Sequence, residues 1–144
     1  MIVLDTNVVS EPFKPKPDPA VIEWLDAQEP QTLYITAVTI AELLAGVHKM
    51  PVGKKEVKSR RSELSFAIEN QISHIFDRRI LNFDQQAAQI FGSMNASAAA
   101  QGNPIAFADC AIAAMTLANG FALATRNTRD FKGTGVKIIN PWGE

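Results

Sequence analysis

Short apolar runs alternate with helix-length segments along this chain, and that alternation constrains the fold more than any other feature. Ile2-Val3-Leu4, Leu33-Tyr34-Ile35, Arg79-Ile80-Leu81, Ala122-Leu123-Ala124 and Val136-Lys137-Ile138-Ile139 read as strands. The first is short, apolar and rich in β-branched residues, as expected of a strand buried on both faces in a parallel sheet. Between the runs lie helical patterns. Thr6 and Asn7 open a short helix through Ser10. Pro12, Pro15, Pro17 and Pro19 mark an extended loop that carries Lys14 and Lys16. Asp18-Pro19 sets an N-cap before a proline at the first helical position, and Val21, Trp24 and Leu25 continue at helical spacing. Thr36 is expected to cap a helix running through Ile40, Leu43, Leu44 and Val47, with Pro51 as its stop. A long polar helix is expected over Lys55–Gln71. Asp84 caps a helix whose apolar face is Ala87, Ile90, Phe91 and Met94. Pro104 precedes another that ends near Asn119, with Gly120 just beyond. Strands alternating with helices imply an α/β fold with a mainly parallel sheet. Such sheets bind ligands beyond the carboxyl ends of their strands, and Asp5 stands at the end of the first.

At 144 residues the chain is expected to form one domain, 1–144, able to bury a core without a disulfide or metal staple. Lys and Arg number 14 against 15 Asp and Glu, which excludes a uniformly basic coat for nucleic acid but not a local basic patch. The single cysteine, Cys110, excludes an internal disulfide framework and a cysteine zinc cluster. No apolar stretch approaches the roughly 20 residues that a membrane helix needs. Met1–Leu4 runs directly into Asp5, unlike a targeting segment. A cytoplasmic protein with no membrane partner is expected.

Charge interrupts apolar sequence at three places. Asp5 is the only charged side chain in Met1–Ser10, Glu42 the only one in Leu33–Val47, and Asp109 the only one in Ile105–Ala118. Each has a local reading. Asp5 can begin an Asx-turn, Glu42 can complete a capping box with Thr39, and Asp109 can cap its own helix. Each also has a shared reading, because a buried carboxylate is costly unless hydrogen-bonded, paired or metal-bound, and no Lys or Arg lies within these segments. Two carboxylates about 4 Å apart repel by roughly 4 kcal/mol at an effective dielectric of 20. A converged set therefore holds a proton or binds a cation. Oxygen-only ligands favour Mg²⁺ or Mn²⁺, and Mg²⁺ partners with phosphate oxygens. The chemistry that follows is metal-assisted phosphodiester hydrolysis.

The motifs resemble those of a known family. Ile2-Val3-Leu4-Asp5-Thr6-Asn7-Val8-Val9-Ser10-Glu11-Pro12 resembles the first strand of PIN-domain proteins. Ile35-Thr36-Ala37-Val38-Thr39-Ile40-Ala41-Glu42-Leu43 resembles their second motif, and Ala108-Asp109-Cys110-Ala111-Ile112-Ala113-Ala114 their third. Ala124-Thr125-Arg126-Asn127-Thr128-Arg129-Asp130-Phe131, with Asn140-Pro141-Trp142, resembles the fourth motif and the tail. The likeness spans essentially the whole chain and is nearest to the VapC toxins, in the branch that includes the FitB proteins. It implies a PIN-like three-layer α/β/α fold and a Mg²⁺- or Mn²⁺-dependent endoribonuclease. It implies the toxin of a type II toxin–antitoxin pair, commonly homodimeric, cutting RNA that is often transfer RNA, and silenced by a VapB-type antitoxin. Carried over, Asp5, Glu42 and Asp109 match the first three acidic positions and are the implied metal ligands. The fourth position falls on Asn127, which has a carbonyl oxygen but no charge. Asp130, three residues on, is an auxiliary candidate out of register with the motif. Thr6 and Thr125 are candidates to orient water through their hydroxyls.

A ribonuclease with an acidic centre must still attract a polyanion. Arg126 and Arg129 flank Asn127 and are the candidate RNA-binding residues, with Lys132 nearby. Lys54, Lys55, Lys58, Arg60 and Arg61 form a denser run that also suits a solvated helix face, and Arg78 and Arg79 form a pair. His48 and His74 lack a catalytic partner at recognisable spacing, and Trp24 and Trp142 read as packing groups. Haloacid-dehalogenase phosphatases need a second Asp where Asn7 stands. Receiver domains need an acidic pair where Ile2–Leu4 stand. The remaining alternative is a PIN-like RNA- or protein-binding module with weak or lost catalysis, which Asn127 keeps open.

Overall fold

The structure, a computed structural model, describes residues 1–50 and 55–143, and within the helix that opens at Lys55 it describes side chains from Arg60 onward. Pro51 and Lys54, and the side chains of Lys55 and Lys58, lie outside the described residues.

Five short strands form one sheet: β1 (Ile2–Leu4), β2 (Leu33–Thr36), β3 (Ile80–Leu81), β4 (Ala122–Ala124) and β5 (Ile138–Ile139). Their order is β3-β2-β1-β4-β5, and every pairing is parallel. The helices are α1 (Thr6–Ser10), α2 (Pro19–Asp26), α3 (Ala37–His48), α4 (Lys55–Phe66), α5 (Ser73–Ile75), α6 (Gln85–Ala100) and α7 (Phe107–Ala118).

Period-two alternation sends neighbouring strand residues to opposite faces. Leu4, Ile35 and Ala124 join a core with Val8 and Val9 of α1, Val21 of α2 and Val47 of α3. Val3 and Leu123 join a second core with Met94 of α6 and Cys110, Ile112 and Ala113 of α7. Both sheet faces are thus covered, and the fold is the expected three-layer α/β/α arrangement. α7 is buried along Cys110–Thr116, as its nearly all-round apolar sequence requires. Among the described residues no helix is long and apolar enough to cross a membrane.

Several boundaries differ from the expectation. The helix expected over Lys55–Gln71 holds α geometry only to Phe66; a π-type turn follows over Ala67–Ile72 and passes into α5. That segment faces the first core with Ile68 and Ile72, so burial carries the chain on after the polar α4 pattern ends. The last strand is limited to Ile138–Ile139, because β5 pairs only with Leu123 and Ala124 of short β4. The Pro12–Pro19 segment contains a 3₁₀ turn at Glu11–Phe13 before the extended stretch.

From β1 the chain steps outward to β2 and β3, then returns to lay β4 and β5 on the other side of β1. Strand order therefore reverses between β1 and β4, the crevice where an open parallel sheet presents a site. Asp5 leaves β1 at that crevice, and its backbone N–H donates to the Ala124 carbonyl at 2.9 Å.

Candidate functional site

Asp5 is buried, with 3% of its surface exposed. Its Oδ1 accepts from the Thr6 backbone N–H at 2.8 Å, so it caps α1. Its Oδ2 accepts from the Thr125 hydroxyl at 2.7 Å, which ties the end of β1 to the end of β4. The local and shared readings of Asp5 are both realised, one on each oxygen. Burial pushes its carboxyl up; the bonds from Thr125 and Thr6 pull it down, and Glu42 and Asp130 push it further up.

Glu42 reaches the same place from α3. Thr36, not Thr39, caps that helix, accepting from the Thr39 backbone N–H at 3.0 Å. The capping box of Thr39 with Glu42 is therefore not formed. With α3 starting at Ala37, Glu42 lies in the second turn and turns toward α1, where its Oε1 accepts from the Thr6 hydroxyl at 2.6 Å.

Asp109 sits in the first turn of α7. The residue that opens the helix is Ala106, which supplies no side-chain cap, so the local reading of Asp109 as its own helix cap is not realised. A helix N-terminus favours the charged carboxylate. Burial outweighs it, and repulsion from Asp5, Asp130 and Glu42 adds to it, so that the Asp109 carboxyl is pushed up to about 6. Carboxylates from β1, α3, α7 and the turn after β4 thus share one field.

Asp130, exposed like Asn127, lies close enough for its charge to push both Asp5 and Asp109 up, whereas Asn127 has no charge to add. The turn Thr128–Phe131 buries Phe131 in the second core and returns the chain so that Asp130 acts on both Asp5 and Asp109. The Asn127 side chain is exposed, and among the described residues its amide group makes no hydrogen bond. Its backbone N–H donates to the Thr125 hydroxyl at 3.0 Å. Motif spacing alone does not foresee the 3₁₀ turn that brings the residue three positions on within electrostatic reach of Asp5 and Asp109.

The hydroxyls of Thr6 and Thr125 donate to carboxylates and so orient Glu42 and Asp5. Asn7, two residues beyond Asp5, adds a link that the sequence reading missed. Its amide Nδ2 lies 3.4 Å from Asp5 Oδ2 and 3.5 Å from Thr125 Oγ1, and its Oδ1 accepts from the Arg126 N–H at 3.3 Å.

Arg126, which follows Thr125 directly, is exposed, as are Arg129 and Lys132. Arg79 is not a free phosphate ligand. Its guanidinium donates to the carbonyls of Pro30, Leu33 and Ile75, stitching the approach to β2 onto that of β3. Arg60 and Arg61 are occupied at the surface by the Phe13 carbonyl and His48 Nδ1, respectively. Cys110 is buried in the second core and not at the site.

Among the described residues the one ion pair joins Lys14 to Glu11, so none of the four carboxylates has a basic partner. Nor, among those residues, is any group of three or more His, Cys, Asp or Glu side chains placed to hold a metal ion. Carboxylates without a basic partner are oxygen donors of the kind that hard divalent cations take.

A family model described as PIN domain matches residues 2–137. VapC ribonuclease Y4jK of Sinorhizobium fredii is 44% identical over 142 residues, covering 99% of this chain and 98% of that protein. Toxin FitB of Neisseria gonorrhoeae is 39% identical, with 99% of both chains covered. The crystal structure of FitAcB from the same organism superposes with a TM-score of 0.90 at 38% identity, covering 99% of each chain.

Proposed function

This chain belongs to the PIN-domain family, and from that premise we propose that it is a ribonuclease of the VapC type, in the FitB branch, acting as the toxin of a type II toxin–antitoxin pair. The reading takes 1–144 as a single PIN-like cytoplasmic domain. It is supported by the likeness to a protein named VapC ribonuclease and to one named toxin FitB, both over nearly the full chain.

The observation that carries the chemistry is that Thr6 joins two carboxylates from distant parts of the chain, its N–H on Asp5 Oδ1 and its hydroxyl on Glu42 Oε1, with no basic partner for either among the described residues. In this reading Asp5, Glu42 and Asp109 hold Mg²⁺ or Mn²⁺, and Asp130 takes the fourth place. Bound there, the ion would supply Lewis acidity at the scissile phosphate and lower the pKa of the attacking water. Thr125 and Thr6 keep Asp5 and Glu42 in their rotamers through the hydroxyl bonds above. Burial of Asp5 keeps bulk water from screening the site. Arg126 and Arg129 draw the RNA backbone toward an edge that would otherwise repel it. With Asp130 in the fourth place, the uncharged Asn127 no longer favours a module without catalysis.

The partners follow from the family. A VapB-type antitoxin is the expected binder and silencer, and FitAcB and FitAB, both solved, are the structural neighbours that support one. A homodimer and an RNA substrate, with transfer RNA the first to test, complete the proposal. The experiment is cleavage of total cellular RNA by the purified chain with and without Mn²⁺, with Asp5→Asn as the blank and mapping of the new ends. Cleavage that needs the ion and is lost in the variant is expected. Ion-dependent cleavage that survives Asp5→Asn would overturn the site.

A further inference from the structure

Arg126 has a second side to its environment that the carboxylates do not explain. Its guanidinium lies over the Trp142 ring, 5.3 Å from the centroid. Its backbone is pinned independently: the Arg126 N–H donates to Asn7 Oδ1, and the preceding Thr125 donates to Asp5. Trp142 is pinned as well. It packs against the first core, and its backbone N–H donates to Asn140 Oδ1 at 3.0 Å. Nearby Glu11 feels the charge of Arg126 but does not take it, because its two oxygens serve the Asp18 N–H at 3.0 Å and Lys14 at 2.8 Å. Among the described residues Arg126 therefore has no carboxylate partner.

An arginine whose guanidinium is held over an indole by a cation–π contact keeps N–H donors free for a ligand. The guanidinium fork matches a phosphate bidentately. An exposed arginine without such support loses rotamer freedom when it grips its ligand, and a contact made beforehand removes much of that loss. We propose that Trp142 is a positioning residue for RNA recognition: its ring holds the Arg126 guanidinium ready for a backbone phosphate. This gives the Asn140–Trp142 segment a role in substrate binding beyond packing, and it rests on the nuclease reading for the identity of the ligand.

The test uses the full chain and a fluorescein-labelled single-stranded RNA oligonucleotide. Binding is read by anisotropy without divalent ion over a range of salt. Arg126→Ala is expected to weaken binding about tenfold and to reduce the salt slope by about one. Trp142→Leu is expected to weaken it about three- to fivefold, the scale of one exposed cation–π contact. In the Arg126→Ala background, Trp142→Leu should add less than twofold, because the ring has lost the group it positions. In Mn²⁺-supported cleavage the Trp142→Leu loss falls on KM more than on kcat. If Trp142→Leu melts early, Trp142→Phe replaces it: about a twofold loss that vanishes when Arg126 is Ala. Wild-type binding by the Trp142 variant, or independent losses in the double variant, overturns the assignment. A wild-type chain that binds RNA with this coupling but cuts none with Mg²⁺ or Mn²⁺ overturns the nuclease reading and leaves the role of Trp142 standing.

Discussion

The Thr125 hydroxyl donates to Asp5 Oδ2 at 2.7 Å, joining residues 120 apart in sequence at the point where the strand order reverses. Both are buried, and the same hydroxyl oxygen accepts from the Asn127 N–H. Replacing Thr125 with Val keeps the shape and removes both bonds. The unsatisfied groups should cost about 1–3 kcal/mol of stability. Loss of the group that orients the carboxylate proposed to hold the metal should lower cleavage about 10- to 100-fold. Thr125→Ser should recover most of the rate. Single-turnover cleavage and urea unfolding measure the two effects, and a Val variant as active as wild type would remove Thr125 from the site.

Asp109→Asn should abolish cleavage and yet stabilise the metal-free protein at neutral pH. The folded carboxyl sits at about 6 against an ordinary value of 3.8, so folding takes up protons between those values. Its contribution favours the native state at low pH and is lost as pH rises through about 6. Asn removes the charge that burial and three neighbours oppose; the shift corresponds to about 3 kcal/mol, which solvent at this half-buried position screens to a gain of about 1–2 kcal/mol. Thermal melts at pH 7 without divalent ion check the sign; an unchanged or lower Tm contradicts the electrostatic coupling.

Protons and a divalent ion compete for the same carboxylates. Mn²⁺ affinity should therefore fall as pH drops below about 6. The fall should approach tenfold per pH unit for each proton that must leave. Calorimetric titration of Mn²⁺ between pH 5 and 8 reads it directly. An affinity that does not change across this range would mean that Asp109 does not ligate the ion.

Asp130 and Asn127 make different predictions. Asp130→Asn should reduce cleavage about tenfold and shift the Mn²⁺ requirement to higher concentration. Asn127→Ala should have a smaller effect on both, since its side chain carries no charge to offer the ion. Metal-activation curves for the two variants decide between them. The reverse ranking would return the fourth place to Asn127.

Arg79 is a structural arginine. Removing its guanidinium leaves the carbonyls of Pro30, Leu33 and Ile75 without their donor. Arg79→Ala should destabilise the fold by about 2–4 kcal/mol. Its RNA affinity, measured where the variant is folded, should match wild type. Weaker RNA binding with unchanged stability would reassign Arg79 to the interface.

Local sequence determined the elements. Apolar runs of three or four residues mark β1, β2 and β4, and Asp18, Thr36 and Asp84 cap the helices expected of them, because capping and period are short-range physics. The isolation of Asp5, Glu42 and Asp109 in apolar sequence was also legible, because an unpaired acid there needs a reason to exist. The π-type turn at Ala67–Ile72 was not, because what keeps that backbone winding is burial of Ile68 and Ile72 against distant strands.

Only the tertiary structure decided which acids meet and what holds them. The packing of α3 against α1 sets Glu42 on Thr6, 36 residues away in the chain. The turn that buries Phe131 brings the exposed Asp130 within electrostatic reach of Asp5 and Asp109. The crossover at β1/β4 sets Thr125 on Asp5, and the packing of Trp142 sets its ring under Arg126. Each of these depends on groups far apart in the chain. Their energies arise from burial and from fields that act through space, and no local window of sequence contains both partners.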